Sequence, residues 1–310
     1  MKKVLLATSA FALMAGAASA EIALSGSARM GLVYSDTAAG SSTQFSSRVR
    51  IVFTASGETD TGLSFGASMR ADQLGQGNTS NGDSTVYISG AFGKLTMGDV
   101  SGAADALVGQ TSGVGYGPND GLHEIDFIGT TKTAAYYEYS TGGFTFGLGA
   151  GQRAAAGATA AEELSVAVKY SAGNYSVALG WETTDGNTAA PATYTGPVAG
   201  VTYAEDLISA SASATFGAAT VKAKIADSDI NGKDTTWSLS LDYVTGATTI
   251  TGFYTDFGNT KVAGNDTQHV GLGVAYDLGG GATLAAGIVQ QNNNVATDNT
   301  FADVGLKFSF

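Results

Sequence analysis

The sequence predicts an all-β chain, a transmembrane antiparallel β-barrel of sixteen strands, and three observations point there. Apolar residues alternate with polar or small ones along most of the chain, the period of a strand with one greasy and one wet face. Charged residues make up only 14% of the chain, yet no run of about 20 apolar residues follows the first twenty, so a helical span has no candidate. Short connections alternate with long ones, as in a barrel with turns at one rim and loops at the other.

The first element is not part of the barrel. "MKKVLLATSAFALMAGAASA" has two lysines, an apolar run from Val4 to Gly16 and the small triplet Ala18-Ser19-Ala20. This is the pattern of a secretory signal peptide, with cleavage expected after Ala20. The apolar run is too short to span a bilayer as an anchor. The barrel then occupies residues 21–310, which is 290 residues (310 − 20), and folds beyond the inner membrane. The chain has no Cys, so it holds together there without disulfides. Without Lys2 and Lys3, 13 basic residues (15 − 2) face 27 acidic ones, a net charge of −14. That balance opposes a nucleic-acid partner, because phosphate binding needs a basic face.

The strands follow in order. In "EIALSGSARMGLV" Ile22, Leu24, Ala28, Met30 and Leu32 share one face, and Ser25, Ser27 and Arg29 take the other. "SSRVRIVF" sets Val49, Ile51 and Phe53 opposite Arg48 and Arg50, and "LSFGASMR" sets Leu63, Phe65 and Met69 opposite Ser64, Ser68 and Arg70. The same design places the first eight strands near 22–34, 44–56, 61–73, 83–91, 94–99, 132–140, 143–152 and 162–171. The second eight fall near 175–183, 204–216, 219–228, 235–244, 248–256, 267–278, 282–291 and 300–310. Tight links such as "FGK", "STGG", "SAGN" and "TGA" alternate with long ones at 74–82, 100–131, 184–203, 257–266 and 292–298.

A soluble β-sandwich also alternates, and so does a non-transporting outer-membrane or surface β-protein such as an adhesin or a structural barrel. Tyr170, Tyr175, Trp181, Trp237, Tyr243 and Tyr276 stand at the ends of the greasy face, where interfacial girdles place amphipathic rings and a sandwich core has no need of them. The last strand, "ADVGLKFSF", alternates to the final residue, with Phe308 and Phe310 on the apolar face. Pairing it with the first strand would leave no open edge in hydrocarbon.

"SSRVRIVFTASGETDTGLSFGASMR", the "AFGKLTMGD" turn and the terminal "ADVGLKFSF" resemble the general porins of Gram-negative bacteria, and most closely those of Rhodobacter-type alphaproteobacteria. The resemblance implies an outer-membrane homotrimer, each barrel a water-filled channel with its third long loop folded inside. It implies outer-membrane lipids and the barrel-assembly machinery as partners, and small polar solutes and ions as cargo. The terminal Phe310, with Phe308 two residues before it, resembles the signal read by that machinery; otherwise it is one more girdle aromatic.

A lumen of this strand number stays open to water, so function depends on what narrows it. The longest connection, about 100–131, is the natural constriction loop. It carries Asp105, Asp120, Glu124 and Asp126, with His123 as its one candidate base, and "AADAL" is expected to make a short helical turn. Arg29, Arg50 and Arg70 come from three adjacent strands and are expected at similar mid-barrel height, with Arg48 one step higher. Acids on the loop facing bases on the wall would set up a transverse field that favours polar solutes over apolar ones. The plainer reading of these charges is a solvated face.

Other motifs weaken on inspection. "DSDING" (227–232) starts like an EF-hand loop, which makes Asp227, Asp229 and Asn231 weak calcium candidates, but Ser238 stands where the twelfth-position Glu belongs. "GLGAGQ" (147–152) and "GVGYGP" (113–118) lack the last Gly of a dinucleotide fingerprint, and no helix follows. No cofactor is expected beyond a weak calcium contact. With no Cys, and with His123 and His269 as the whole supply of imidazole, no catalytic arrangement is legible and no enzyme is expected.

Overall fold

The sixteen strands pair in sequence order and the last returns to the first. The structure, a computed structural model, describes residues 21–74, 80–128, 134–151, 163–184, 206–228, 235–260, 265–293 and 297–310. Residues 1–20, read above as a signal peptide, lie outside the described residues. The first eight strands are β1 (Glu21–Thr37), β2 (Gly40–Glu58), β3 (Ser64–Leu74), β4 (Ser80–Gly90), β5 (Gly93–Gly98), β6 (Ala134–Thr141), β7 (Phe144–Ala150) and β8 (Glu163–Ala172). The rest are β9 (Tyr175–Thr184), β10 (Asp206–Phe216), β11 (Ala219–Ser228), β12 (Thr236–Thr245), β13 (Thr248–Thr260), β14 (Asn265–Gly279), β15 (Ala282–Asn293) and β16 (Asn299–Ser309). Each is antiparallel to its neighbours, and the sheet is a closed barrel. A short helix α1 (Ala103–Val108), at the expected "AADAL" turn, and a 3₁₀ turn (Asp120–His123) interrupt the connection from β5 to β6.

Closure rests on the chain's last strand. β16 pairs β1 from Ser27↔Ser309 to Asp36↔Thr300. One step further, the Gly26 N–H donates to the Phe310 carbonyl at 2.7 Å and the Phe310 N–H donates to the Gly26 carbonyl at 3.1 Å. Every ladder therefore has a partner, the condition a sheet must meet in hydrocarbon. Gly26 also makes room for the terminal ring, since a Cβ there would stand 2.7 Å from Phe310 Cε2.

The apolar face points outward. Leu24, Met30, Leu148, Leu179, Leu239 and Leu272 are exposed, as are the end-of-strand Tyr175, Trp181, Trp237, Tyr243 and Tyr276. The opposite face is rich in Ser, Thr and Gly, and residues such as Ser165, Ser209, Ser238 and Ser240 are buried. A soluble protein would reverse this arrangement, so the outward face is the one that meets lipid. At one rim the strands reverse in two-residue turns, except that five residues (59–63) join β2 to β3; Gly173, Gly217 and Gly246 take φ of 56°, 59° and 59°, the left-handed conformation that tight hairpins need.

Some expected connections at the opposite rim shorten, two of them most. β1 and β2 run on to Thr37 and Gly40, so two residues join them where a longer connection was expected. The connection expected over 257–266 shrinks to 261–264, because β13 and β14 extend into it. Apart from Phe257 the added residues are polar or small and lack clean alternation, so period alone ended those strands early.

Candidate functional site

The segment 102–128 follows the inner wall. Outbound, the Ala103 N–H donates to Ser165 Oγ on β8 at 2.7 Å, and Ser211 Oγ on β10 donates to the Val108 carbonyl at 2.7 Å. Lys224 on β11 donates to Gln110 Oε1 at 2.9 Å. On β12, Ser238 Oγ bonds Thr111 Oγ1 at 2.7 Å, and Ser240 Oγ accepts the Ser112 N–H at 2.9 Å. The Tyr116 N–H then donates to Asp303 Oδ1 on β16 at 3.1 Å, and Gly117 packs against Arg29 on β1.

The segment then returns. His269 Nδ1 on β14 donates to the Leu122 carbonyl at 2.6 Å, and Thr255 Oγ1 on β13 donates to the His123 carbonyl at 3.0 Å. Lys224 donates to the Ile125 carbonyl at 2.7 Å, and the Ile128 N–H donates to Glu182 Oε2 on β9 at 2.9 Å. A segment that touches every strand from β8 round to β1, on their polar faces, runs inside the closed ring. The geometry is economical: from Gln110 to Gly117 seven extended steps cover about 24 Å, close to the roughly 28 Å of six strand spacings at the larger wall radius.

Two small apolar clusters hold the segment between its polar contacts. Ala103 and Leu107 pack on Ala167 and Tyr136, while Val114 packs with Phe253 and Val289. Across its two passes, Gln110 bonds Ile125 in both directions: its amide donates to the Ile125 carbonyl at 2.8 Å and its Oε1 accepts the Ile125 N–H at 3.1 Å. The Lys224 ammonium also sits 3.4 Å from the centroid of the Phe127 ring. Lys224 is 2% exposed and Glu182 is 1% exposed, so each is buried with a partner, as a buried charge requires.

The arginines lie on the wall across the lumen from α1. Arg48, rather than Arg50, stands directly across from Arg29, while Arg50 is across from Asp72 and Arg70 is across from Val52. The two-residue β1–β2 turn sets this register, so Arg48 and not Arg50 is the cross-strand partner of Arg29. Asp72, buried, organises the group: it accepts from Arg50 Nε and Nη2, each at 3.0 Å, and meets Arg70 Nε at 3.1 Å. Arg70 also pairs with Asp83 on β4. The stabilising acids are thus on the wall itself. Asp72 was detectable, because it is two residues from Arg70 and so shares its face.

Among the loop acids, Glu124 and Asp126 are exposed to the lumen and Asp105 is half-buried on α1. Together with Glu182 they are the acids whose charge acts on the Lys224 ammonium. The Asp120 side chain lies outside what is described. His123 is not a free base: it is buried, with its ring 5.7 Å edge-on from Phe253. Asp227, of the weak calcium motif, accepts a hydrogen bond from Thr235 Oγ1 at 2.8 Å, and Asp229 and Asn231 lie outside the described residues. Sequence reading also passed over Lys222, Lys224, Glu182 and Asp303. The first two occur at spacing 2 on a strand, which signals one shared face but not which loop that face will hold.

Comparison with known proteins agrees with this geometry. A sequence profile of the Gram-negative porin family matches residues 7–296. A Rhodobacter capsulatus protein named porin is 36% identical over 320 residues, covering 94% of this chain and 100% of the relative. A porin structure refined at 1.8 Å superposes with a TM-score of 0.74 at 33% identity, covering 94% of this chain and 100% of that one. A triple mutant of Rhodopseudomonas blastica porin, 24% identical over the same shares of the two chains, has the same fold with a TM-score of 0.72. The chain belongs to the Gram-negative porin family, and is an outer-membrane channel for the diffusion of small hydrophilic solutes.

Proposed function

We propose that residues 102–128 constrict the lumen, and that solutes pass between this loop and the wall bearing Arg48, Arg50 and Arg70. One observation carries the reading: the loop's hydrogen bonds run along the polar faces from β8 round to β1, leaving the arginine wall facing it. Four arginines with Asp72 and Asp83 carry a formal charge of +2 (4 − 2). The loop's Asp105, Glu124 and Asp126 stand on the other side. Water between them is ordered across the pore, and an apolar solute that displaces it loses that interaction while a small polar solute keeps much of it.

The chain's acidic balance and the lumen-exposed loop acids favour a small cation preference, which the arginines oppose. The working unit in the outer membrane is a homotrimer among lipids, and Phe308 and Phe310 present the strand end that the assembly machinery reads. Zero-current potentials across a salt gradient, with solute-exclusion measurements on the same purified protein, test the constriction. Cation-to-anion ratios that ignore every charge on both faces would remove the loop and wall from the narrowest point.

A further inference from the structure

Between Val114 and Gly117 the loop lies against a group of wall glycines, with Val289 and Asp303 as the wall side chains beside them. The wall residues there are Gly273 on β14, Gly287 on β15, Gly305 on β16 and Gly31 on β1. A Cβ on Gly287 would stand 2.6 Å from Gly115 N, 2.8 Å from Gly115 Cα and 3.0 Å from Val114 C, all loop backbone. On Gly273 it would stand 2.7 Å from Val114 Cβ; on Gly305 and Gly31 it would meet the Tyr116 ring at 2.8 and 2.9 Å, besides the still nearer carbonyls of Met30 and Val304 on the neighbouring strand. Tyr116 is 0% exposed. The Asp303 carboxylate holds this stretch through the Tyr116 N–H, and at Gly115, with φ of 91°, any side chain would collide with that carboxylate.

Glycine inside a strand costs backbone entropy and gives no packing of its own, so its use on four adjacent strands calls for a close approach. A full layer of side chains between two backbone layers holds them about 10 Å apart. Removing that layer lets the loop settle several ångströms nearer the wall, and the space it gives up is added to the lumen.

We propose that Asp303 and the glycines Gly31, Gly273, Gly287 and Gly305 form a seat for Val114–Gly117, and that this seat sets the free cross-section of the pore and so the size limit for solutes. The proposal rests on the reading of this loop as the constriction. Gly287 is the sharpest probe, because its three nearest atoms belong to the loop and none to a strand. An added side chain there has to push the loop toward the pore axis.

The test uses full-length protein purified from outer membranes, with single-channel conductance in planar bilayers and swelling of liposomes in sugars of increasing size. Loop displacement of about 1 Å for each added layer of methyl groups predicts that conductance falls roughly 1.3-fold in Gly287→Ala and roughly twofold in Gly287→Val, with a smaller sugar cut-off in each. Ile288→Val, on the lipid side of the same strand, leaves both unchanged. Because the chain has no native Cys, Val114→Cys with Gly273→Cys offers a single pair. The built Cβ separation of 2.7 Å is about 1 Å short of the disulfide range, a gap that a small loop shift supplies. Thiol titration should find the pair oxidised in the folded barrel.

Conductance and cut-off unchanged in a heat-modifiable Gly287→Val barrel would overturn the proposal, and so would free thiols in the folded cysteine pair. An equal effect from Ile288→Val would also overturn it, by assigning the change to the strand. An unsubstituted protein that folds but does not conduct would instead overturn the channel reading beneath it.

Discussion

Asp72→Asn should turn the channel toward anions. The Asp72 side chain is nearly buried and bridges Arg50 and Arg70 at 3.0–3.1 Å. Asparagine has the same shape and keeps a carbonyl acceptor, so one guanidinium retains a bond while the wall loses a negative charge. Its formal charge rises from +2 to +3. An ion passing about 7 Å from the added charge feels about 0.6 kcal/mol in water, and salt near 0.1 M roughly halves that. The shift has opposite sign for cations and anions, so the cation-to-anion permeability ratio falls about threefold. Across a tenfold salt gradient the zero-current potential then moves by about 20 mV in the anion direction, and by less at higher salt. The measurement is that potential, in planar bilayers, for channels whose migration in SDS still changes on boiling. An unchanged potential would take this wall away from the ion path. A move toward cations would mean that the arginines had left it.

Neutralising Arg29, Arg50 and Arg70 together should move the same potential the opposite way, toward cations, and no change would exclude them from the constriction. Lys224→Met leaves the Ile125 carbonyl and Gln110 Oε1 without their buried cation, a loss of about 3 kcal/mol at a buried polar cluster. The loop should loosen and single-channel current should become noisier, while the barrel still resists SDS until boiled; a steady current would show that Lys224 is not an anchor. Deleting Phe310 should sharply lower the protein in outer-membrane fractions, while Phe310→Tyr lowers it little. Lost girdle packing alone would cost a few kcal/mol at most, so normal levels after the deletion would leave only the packing role. Unboiled protein should run in SDS as a heat-modifiable species above the 31.1 kDa of the full chain, and identical migration before and after boiling would argue against the trimer.

The strands were legible because a barrel imposes one rule throughout. Leu148, Val166 and Leu239 must face lipid, and Ser165 and Ser238 must not, so each strand repeats the same period without help from its neighbours. The order of pairing followed from chain order, and closure from the alternation that runs through Phe310. Register was harder to read. Whether Arg29 meets Arg48 or Arg50 depends on a two-residue turn at Ala38 and Ala39, and two alanines do not announce a turn. The loop's path was hidden for a different reason. Its contacts join residues more than a hundred apart, such as Tyr116 with Asp303 and Ser112 with Ser240, and no local pattern encodes a partner at that distance. The wall glycines beneath it gave no signal, because a missing side chain has no periodic signature. Each acquires a meaning only once the loop lies against it.

Single-channel recording of the purified, folded protein in planar bilayers tests the central claim most directly. A water-filled lumen between loop and arginine wall predicts stepwise, ohmic conductance increments whose size rises with salt concentration and which appear only with heat-modifiable protein. Folded, membrane-inserted barrels that give no increments would contradict it.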